Sequence, residues 1–128
     1  MKNILVPIDF SPASQNAARY AVSLARAFDA TVYVFNAVLP PVLIDDSILA
    51  SVMVTQAEIV AENNKLIEQE IETLSKEYSV KIKGLVREGY TSKMIPELAA
   101  ENNIDVVVMG MKGEGKSISI FGSTTTTT

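Results

Sequence analysis

The chain has 128 residues, 48% of them hydrophobic, which suits one domain with one core. A net charge of −4 argues against a nucleic-acid footprint, and the lack of cysteine and histidine removes disulfides, thiol chemistry, the commonest metal ligand and the commonest general base. No apolar run reaches the length of a membrane span and no signal-peptide pattern opens the chain, so a cytoplasmic protein is expected.

Asn3-Ile4-Leu5-Val6-Pro7-Ile8-Asp9 reads as a first strand, apolar on both faces as central parallel strands are. Pro7 cannot donate to a ladder, so pairing should end near it. Asp9-Phe10-Ser11-Pro12 is a strand-to-helix turn, with Ser11 as N-cap and Pro12 at the first helical position. Ala17, Tyr20, Ala21, Leu24, Ala25 and Phe28 then recur at helical spacing, and the helix should end near Asp29-Ala30. Thr31 to Val38 is a β-branched and aromatic second strand, stopped by Leu39-Pro40-Pro41.

Asp45-Asp46-Ser47 offers caps for a long helix. Within it Val60, Asn64, Ile67, Ile71, Leu74 and Tyr78 mark an inward face, while Glu62, Lys65, Glu68 and Glu72 form a solvated one. Ile48, Leu49, Val52 and Met53 offer an apolar cover for some neighbouring surface. Val80 to Glu88 alternates, as a strand nearer an edge does. Thr91 or Ser92 caps a third helix with Ile95, Leu98 and Ala99 inward and Pro96 close to its first turn. Ile104-Asp105-Val106-Val107-Val108-Met109 is a fourth strand.

This strand stops at Gly110 and enters a stretch holding Gly113, Gly115 and Gly122, four of the six glycines in the chain. A strand that breaks into such a loop presents bare N–H groups to an anion. A simple surface turn has the same composition. Gly122-Ser123 reads as the start of a last helix, with Ser123 as its cap.

The order β-α-β-α-β-α-β-loop-α implies an open parallel sheet in a three-layer α/β/α arrangement, with right-handed crossovers. Ligands of such sheets bind beyond the carboxyl ends of the strands, where the winding reverses. With strand one central, strands two and three on one side and four on the other, that point lies between strands one and four. The segments Pro7 to Ser11 and Gly110 to Ser123 then face one crevice.

Gly110 to Ser117 also fits the phosphate-binding pattern GxxxxGK[ST], which would make the chain a P-loop phosphotransferase. That alternative requires a helix from Gly115-Lys116-Ser117 onward, where the sequence is instead short and β-branched.

Ile-Leu-Val-Pro-Ile-Asp-Phe-Ser at residues 4–11 and Val-Val-Met-Gly-Met-Lys-Gly at 107–113, with Gly-Ser at 122–123, together resemble the universal stress protein family. The resemblance covers essentially the whole chain. It implies a Rossmann-like fold of the adenine nucleotide alpha hydrolase type. It also implies an ATP-binding stress-response sensor or switch, with at most slow ATP hydrolysis. The ATP-binding members carry Gly-x-x-Gly, nine residues, then Gly-Ser or Gly-Thr; here eight residues separate Gly113 from Gly122.

The resemblance implies the following site. Pro7 and Ile8 sit beside the adenine, and Ala37 lines its pocket. Asp9 contacts the ribose or a Mg²⁺ ion. Met109 and Gly110 approach adenine and ribose. Lys112, Gly113, Gly122, Ser123 and Thr124 meet the phosphates. A non-binding dimeric scaffold whose glycine loop is only structural is the rival within the family. Family members continue with a helix and a fifth strand, whereas this chain ends in Thr124 to Thr128, so a domain truncated at its C-terminus is expected. Strand four would then be a bare apolar edge, covered by a homodimer partner or a tandem domain.

Overall fold

A computed structural model describes residues 2–41, 46–110 and 118–122, with the backbone alone at 46 and 118–122. Lys112, Gly113, Ser123 and Thr124 therefore lie outside the described residues. The strands are β1 (Asn3–Pro7), β2 (Thr31–Val38), β3 (Ile82–Glu88), β4 (Val106–Gly110) and β5 (Ile118–Gly122). The α-helices are α1 (Pro12–Phe28), α2 (Leu49–Glu77) and α3 (Thr91–Glu101). The sheet order is β3-β2-β1-β4-β5, so β1 is central as its two-sided apolarity requires. β1 runs parallel to β2 and β4, and β2 runs parallel to β3.

Alternation along β1 sorts the core into two layers. Ile4, Val6 and Ile8 join Ala17, Ala21, Val22 and Ala25 of α1, with Ile67 and Leu74 of α2, on one face. Leu5 joins Phe35, Leu98, Ile104 and Val107 on the face covered by α3. Alanines give α1 a thin inner surface, so its axis can lie close to the sheet. Ser11 caps α1 by accepting from the Ser14 N–H, with Pro12 at the helix start. Asp29 closes the helix in the left-handed region, φ 54°.

Several local expectations need correction. β5 pairs antiparallel with β4, from Gly110↔Ile118 to Val106↔Gly122, so β4 is not a bare edge. Gly122 is the last residue of β5, and the helix expected from Ser123 onward lies outside the described residues. The strand over Ile118–Gly122 also occupies the place where a P-loop needs its helix, which removes the structural basis of that alternative. A short 3₁₀ turn at Asp46–Ile48 precedes α2, and Ile48 occupies its cap position without a side-chain hydrogen bond. Of the four residues expected to form an apolar cover, Ile48, Leu49 and Met53 are exposed and Val52 is half-buried. Tyr90, rather than Thr91 or Ser92, holds the N-cap position of α3, and Pro96 lies in the second turn of that helix. Asn64 turns outward and bonds back to the Val60 carbonyl, while Asn63 faces in.

The start of β1 is tied to the start of β4 by a carboxylate. Asp105 Oδ2 accepts from the N–H of Lys2 at 2.8 Å and of Asn3 at 3.0 Å. These two donors hold its carboxyl below the ordinary carboxylate value. The stabilisation is therefore complete above the unfolded-chain pKa and is lost as pH falls through the lower folded value. Asp105→Asn should melt below the parent at neutral pH, with the gap closing in acid; a thermal melt series across pH checks this.

Candidate functional site

Backbone groups of successive strand residues point to opposite sides, and this decides where the sheet opens. The Ile8 N–H donates to the Phe35 carbonyl at 2.7 Å, so Ile8 faces β2. Pro7 consequently faces β4, where it has no N–H to give. β1 pairs with β4 only through Ile4↔Val106 and Leu5↔Val107. With β2 it stays paired to Pro7↔Phe35. Paired residues between the two central strands end at Leu5↔Val107, while β4 continues to Gly110 beside β5. The crevice lies at the winding reversal that the element order implied.

A cavity of about 310 Å³ fills the gap. Pro7, Ile8, Asp9, Ala37, Met109 and Gly110 all line it, so the structure brings these sequence-selected residues to one place. Gly122 is not among them. It pairs with Val106, at the far end of β4 from Gly110, because β5 runs antiparallel and carries the chain away from the crevice.

Ser11, Ser14, Phe35 and Thr91 also line the cavity, and of these only Ser11 lies in a segment that the element order places at the crevice. The sequence marks Ser11, and Thr91 or Ser92, as helix caps, a role that masks the hydroxyls Ser11 and Thr91 bring to the starts of α1 and α3. Phe35 follows from alternation on β2. Ser14 sits within the first turn of α1, and nothing in the pattern marks it.

The β1–α1 turn that carries Asp9 is tightly cross-linked. Asp9 Oδ1 accepts from the Ser11 N–H at 3.0 Å, closing an Asx turn. The Ser14 hydroxyl accepts from the Asp9 N–H at 3.3 Å and donates to the Ser11 carbonyl at 3.0 Å. Between them Phe10 adopts φ 66°, an uncommon conformation for a bulky side chain. Its ring packs against the α1 side of the core, which holds the strained backbone in place. Asp9 is the one carboxylate lining the cavity among the described residues.

Gly110 closes the other wall. A Cβ there would meet the Ala13 carbonyl, with its carbon at 2.6 Å and the Ser14 nitrogen at 2.9 Å. The end of β4 thus lies directly against the first turn of α1, and only glycine permits this approach.

The cavity is lined by apolar groups from the strand ends and by hydroxyls and a carboxylate from the turns. Such a site suits a flat apolar ring carrying a polar, hydroxylated group. No group of acidic, histidine or cysteine side chains able to hold a metal occurs among the described residues. A divalent cation at Asp9 would need its remaining ligands from a bound phosphate and water. No helix among the described residues is long and apolar enough to cross a membrane.

Comparisons with known proteins agree with this architecture. The sequence model of the universal stress protein family matches residues 1–127. A universal stress protein of Methanocaldococcus jannaschii is 29% identical over 113 residues, covering 88% of this chain and 66% of its own length. The chain thus spans slightly less than two thirds of that relative. Among solved structures, UspA of Lactobacillus plantarum superposes with a TM-score of 0.76 at 22% identity, covering 88% of this chain and 80% of that one. A universal stress protein family member of Arabidopsis thaliana, solved with AMP bound, gives a TM-score of 0.62 at 14% identity, covering 90% and 80%.

Proposed function

Because the chain belongs to the universal stress protein family, we propose that it binds ATP or another adenine nucleotide in the crevice between β1 and β4. It would act as a stress-response sensor or switch in the cytoplasm. The observation that supports this reading most is the convergence of Pro7, Ile8, Asp9, Ala37, Met109 and Gly110 on one cavity. The bound AMP of the Arabidopsis relative supports the ligand class.

Under this reading the adenine lies among Pro7, Ile8, Ala37 and Met109, and the ribose lies beside Asp9 and Gly110. The Ser11 and Thr91 hydroxyls add hydrogen-bonding capacity at the starts of α1 and α3. Those helix starts also favour negative charge. Lys112 and Gly113 follow Gly110 in the sequence and are proposed for the phosphates. Gly122 lies at the opposite end of β4 from Gly110, because β5 carries the chain away from the crevice. Asp9 would meet a ribose hydroxyl or share a Mg²⁺ with the phosphates.

Nucleotide retained through purification tests the reading. Freshly purified protein, denatured and filtered, should release a compound absorbing near 260 nm with the mass of an adenine nucleotide. Release of no nucleotide, together with no binding of added ATP, would leave the scaffold alternative.

Asp9 separates turn from ligand. Asp9→Asn keeps an oxygen for the Ser11 N–H and removes the charge. It should leave the melting temperature nearly unchanged and weaken Mg-ATP about tenfold, the scale of a hydrogen bond to a charged group. Calorimetric titration beside a thermal melt reads both quantities.

Self-association is proposed as well, on a different edge from the one the sequence suggested. β5 is the terminal strand of the sheet, and its Ile-Ser-Ile-Phe-Gly run contains no proline or lysine to blunt it. Light scattering should show a dimer; a monomer at every concentration would remove this part of the proposal.

A further inference from the structure

Beyond Leu5, β1 has no paired residue on β4, yet Ile8 and Asp9 must be held in place to shape the cavity. Ile8 is gripped from the β2 side at both backbone groups. Its N–H donates to the Phe35 carbonyl at 2.7 Å. Its carbonyl accepts from Asn36 Nδ2 at 2.8 Å. A side chain thus continues the ladder for one residue after regular β1–β2 pairing ends at Pro7↔Phe35.

Asn36 is only 4% exposed, so its amide must be fully satisfied and correctly turned. The second half of the contact comes from α2, where Asn63 Nδ2 donates to Asn36 Oδ1 at 2.8 Å. An amide carries its donor and acceptor on opposite arms. By engaging the oxygen, Asn63 fixes which arm faces Ile8. Turned the other way, Asn36 would set its oxygen against the Ile8 carbonyl oxygen.

We propose that Asn36 and Asn63 are positioning residues of the cavity: a two-amide clip through which α2 sets the place of Ile8 and Asp9. Neither side chain lines the cavity. Their action on a bound ligand is through the β1–α1 turn. The nucleotide reading enters here only through the affinity measurement, since the clip is also testable in ligand-free protein.

The test compares the parent with Asn63→Ala, Asn36→Leu, the double variant and Asn63→Gln. Amide hydrogen exchange is measured at Ile8 and Asp9, with Leu5 and Val6 as controls, and ATP affinity is measured by calorimetry. Asn63→Ala should speed exchange at Ile8 and Asp9 relative to Leu5 and Val6. It should weaken ATP about three- to tenfold, the scale of one neutral hydrogen bond. Asn63→Gln, which keeps a donor amide, should recover part of both effects. Adding Asn63→Ala to Asn36→Leu should change nothing further, because the clip is already open.

Exchange that rises equally along β1, or nowhere, would overturn the proposal whatever the ATP result. So would unchanged ATP affinity in Asn63→Ala when the parent binds ATP. If the parent binds no adenine nucleotide, the nucleotide reading fails, and the exchange contrast still decides the clip.

Discussion

Gly110→Val should lower the melting temperature by about 10 °C, with a stability loss of about 3 kcal/mol. Any Cβ at this position runs into the Ala13 carbonyl and approaches the Ser14 nitrogen at 2.9 Å. Both obstacles are backbone atoms in the first turn of α1, so no rotamer change relieves the clash. Either β4 withdraws from α1 or the helix start shifts. Each movement also disturbs the Ser11–Ser14 cap, whose atoms hold the Asp9 turn. Gly110→Ala should show a smaller loss in the same direction. Chemical denaturation read by circular dichroism measures both variants; a melting temperature equal to the parent's for Gly110→Val would contradict the packing described here.

Ala37→Trp should do the opposite: keep the fold and remove the ligand. Ala37 lies near the end of β2, half-buried, and faces the cavity. An indole there has about 310 Å³ of space to enter, so overpacking of the core is avoided. It would occupy the place proposed for the adenine. A loss of at least about a hundredfold in ATP affinity is expected, which corresponds to about 3 kcal/mol. Circular dichroism and a melt close to the parent's would show that the loss is not unfolding. Retained ATP affinity in the folded variant would move the ligand out of this cavity.

The parts of the fold legible in the sequence are those with one strong pattern. β2 falls at the expected Thr31–Val38 because six of its eight residues are β-branched or aromatic and Pro40-Pro41 follow closely. The ends of α1 were legible because Ser11-Pro12 is a specific start signal and a helix of alanines needs little else. The crevice was legible from element order once the two-sided apolarity of β1 marks it as central, since topology then places the winding reversal beside it.

The misses have physical causes as well. β5 was hidden because Ile118–Gly122 sits in a glycine-rich region and is only five residues long. A strand that short gains its stability from pairing with β4, which local pattern does not report. The family resemblance puts Gly122 at the phosphates, whereas the antiparallel return from Gly110 carries it to the far end of β4. Ser47 was a plausible cap, but the 3₁₀ turn at Asp46–Ile48 moves the α-helical start beyond it. The apolar spacing selects Asn64 instead of Asn63 because a one-residue rotation separates a half-buried amide from a solvated one on a helix of 29 residues.

The most direct measurement is a calorimetric titration of the parent protein with ATP and AMP, run beside Ala37→Trp. Saturable binding of both nucleotides to the parent, and its loss in the folded variant, is the result predicted here. Absence of heat and of any nucleotide-induced rise in melting temperature at millimolar ATP or AMP would contradict the claim that this cavity is an adenine-nucleotide site.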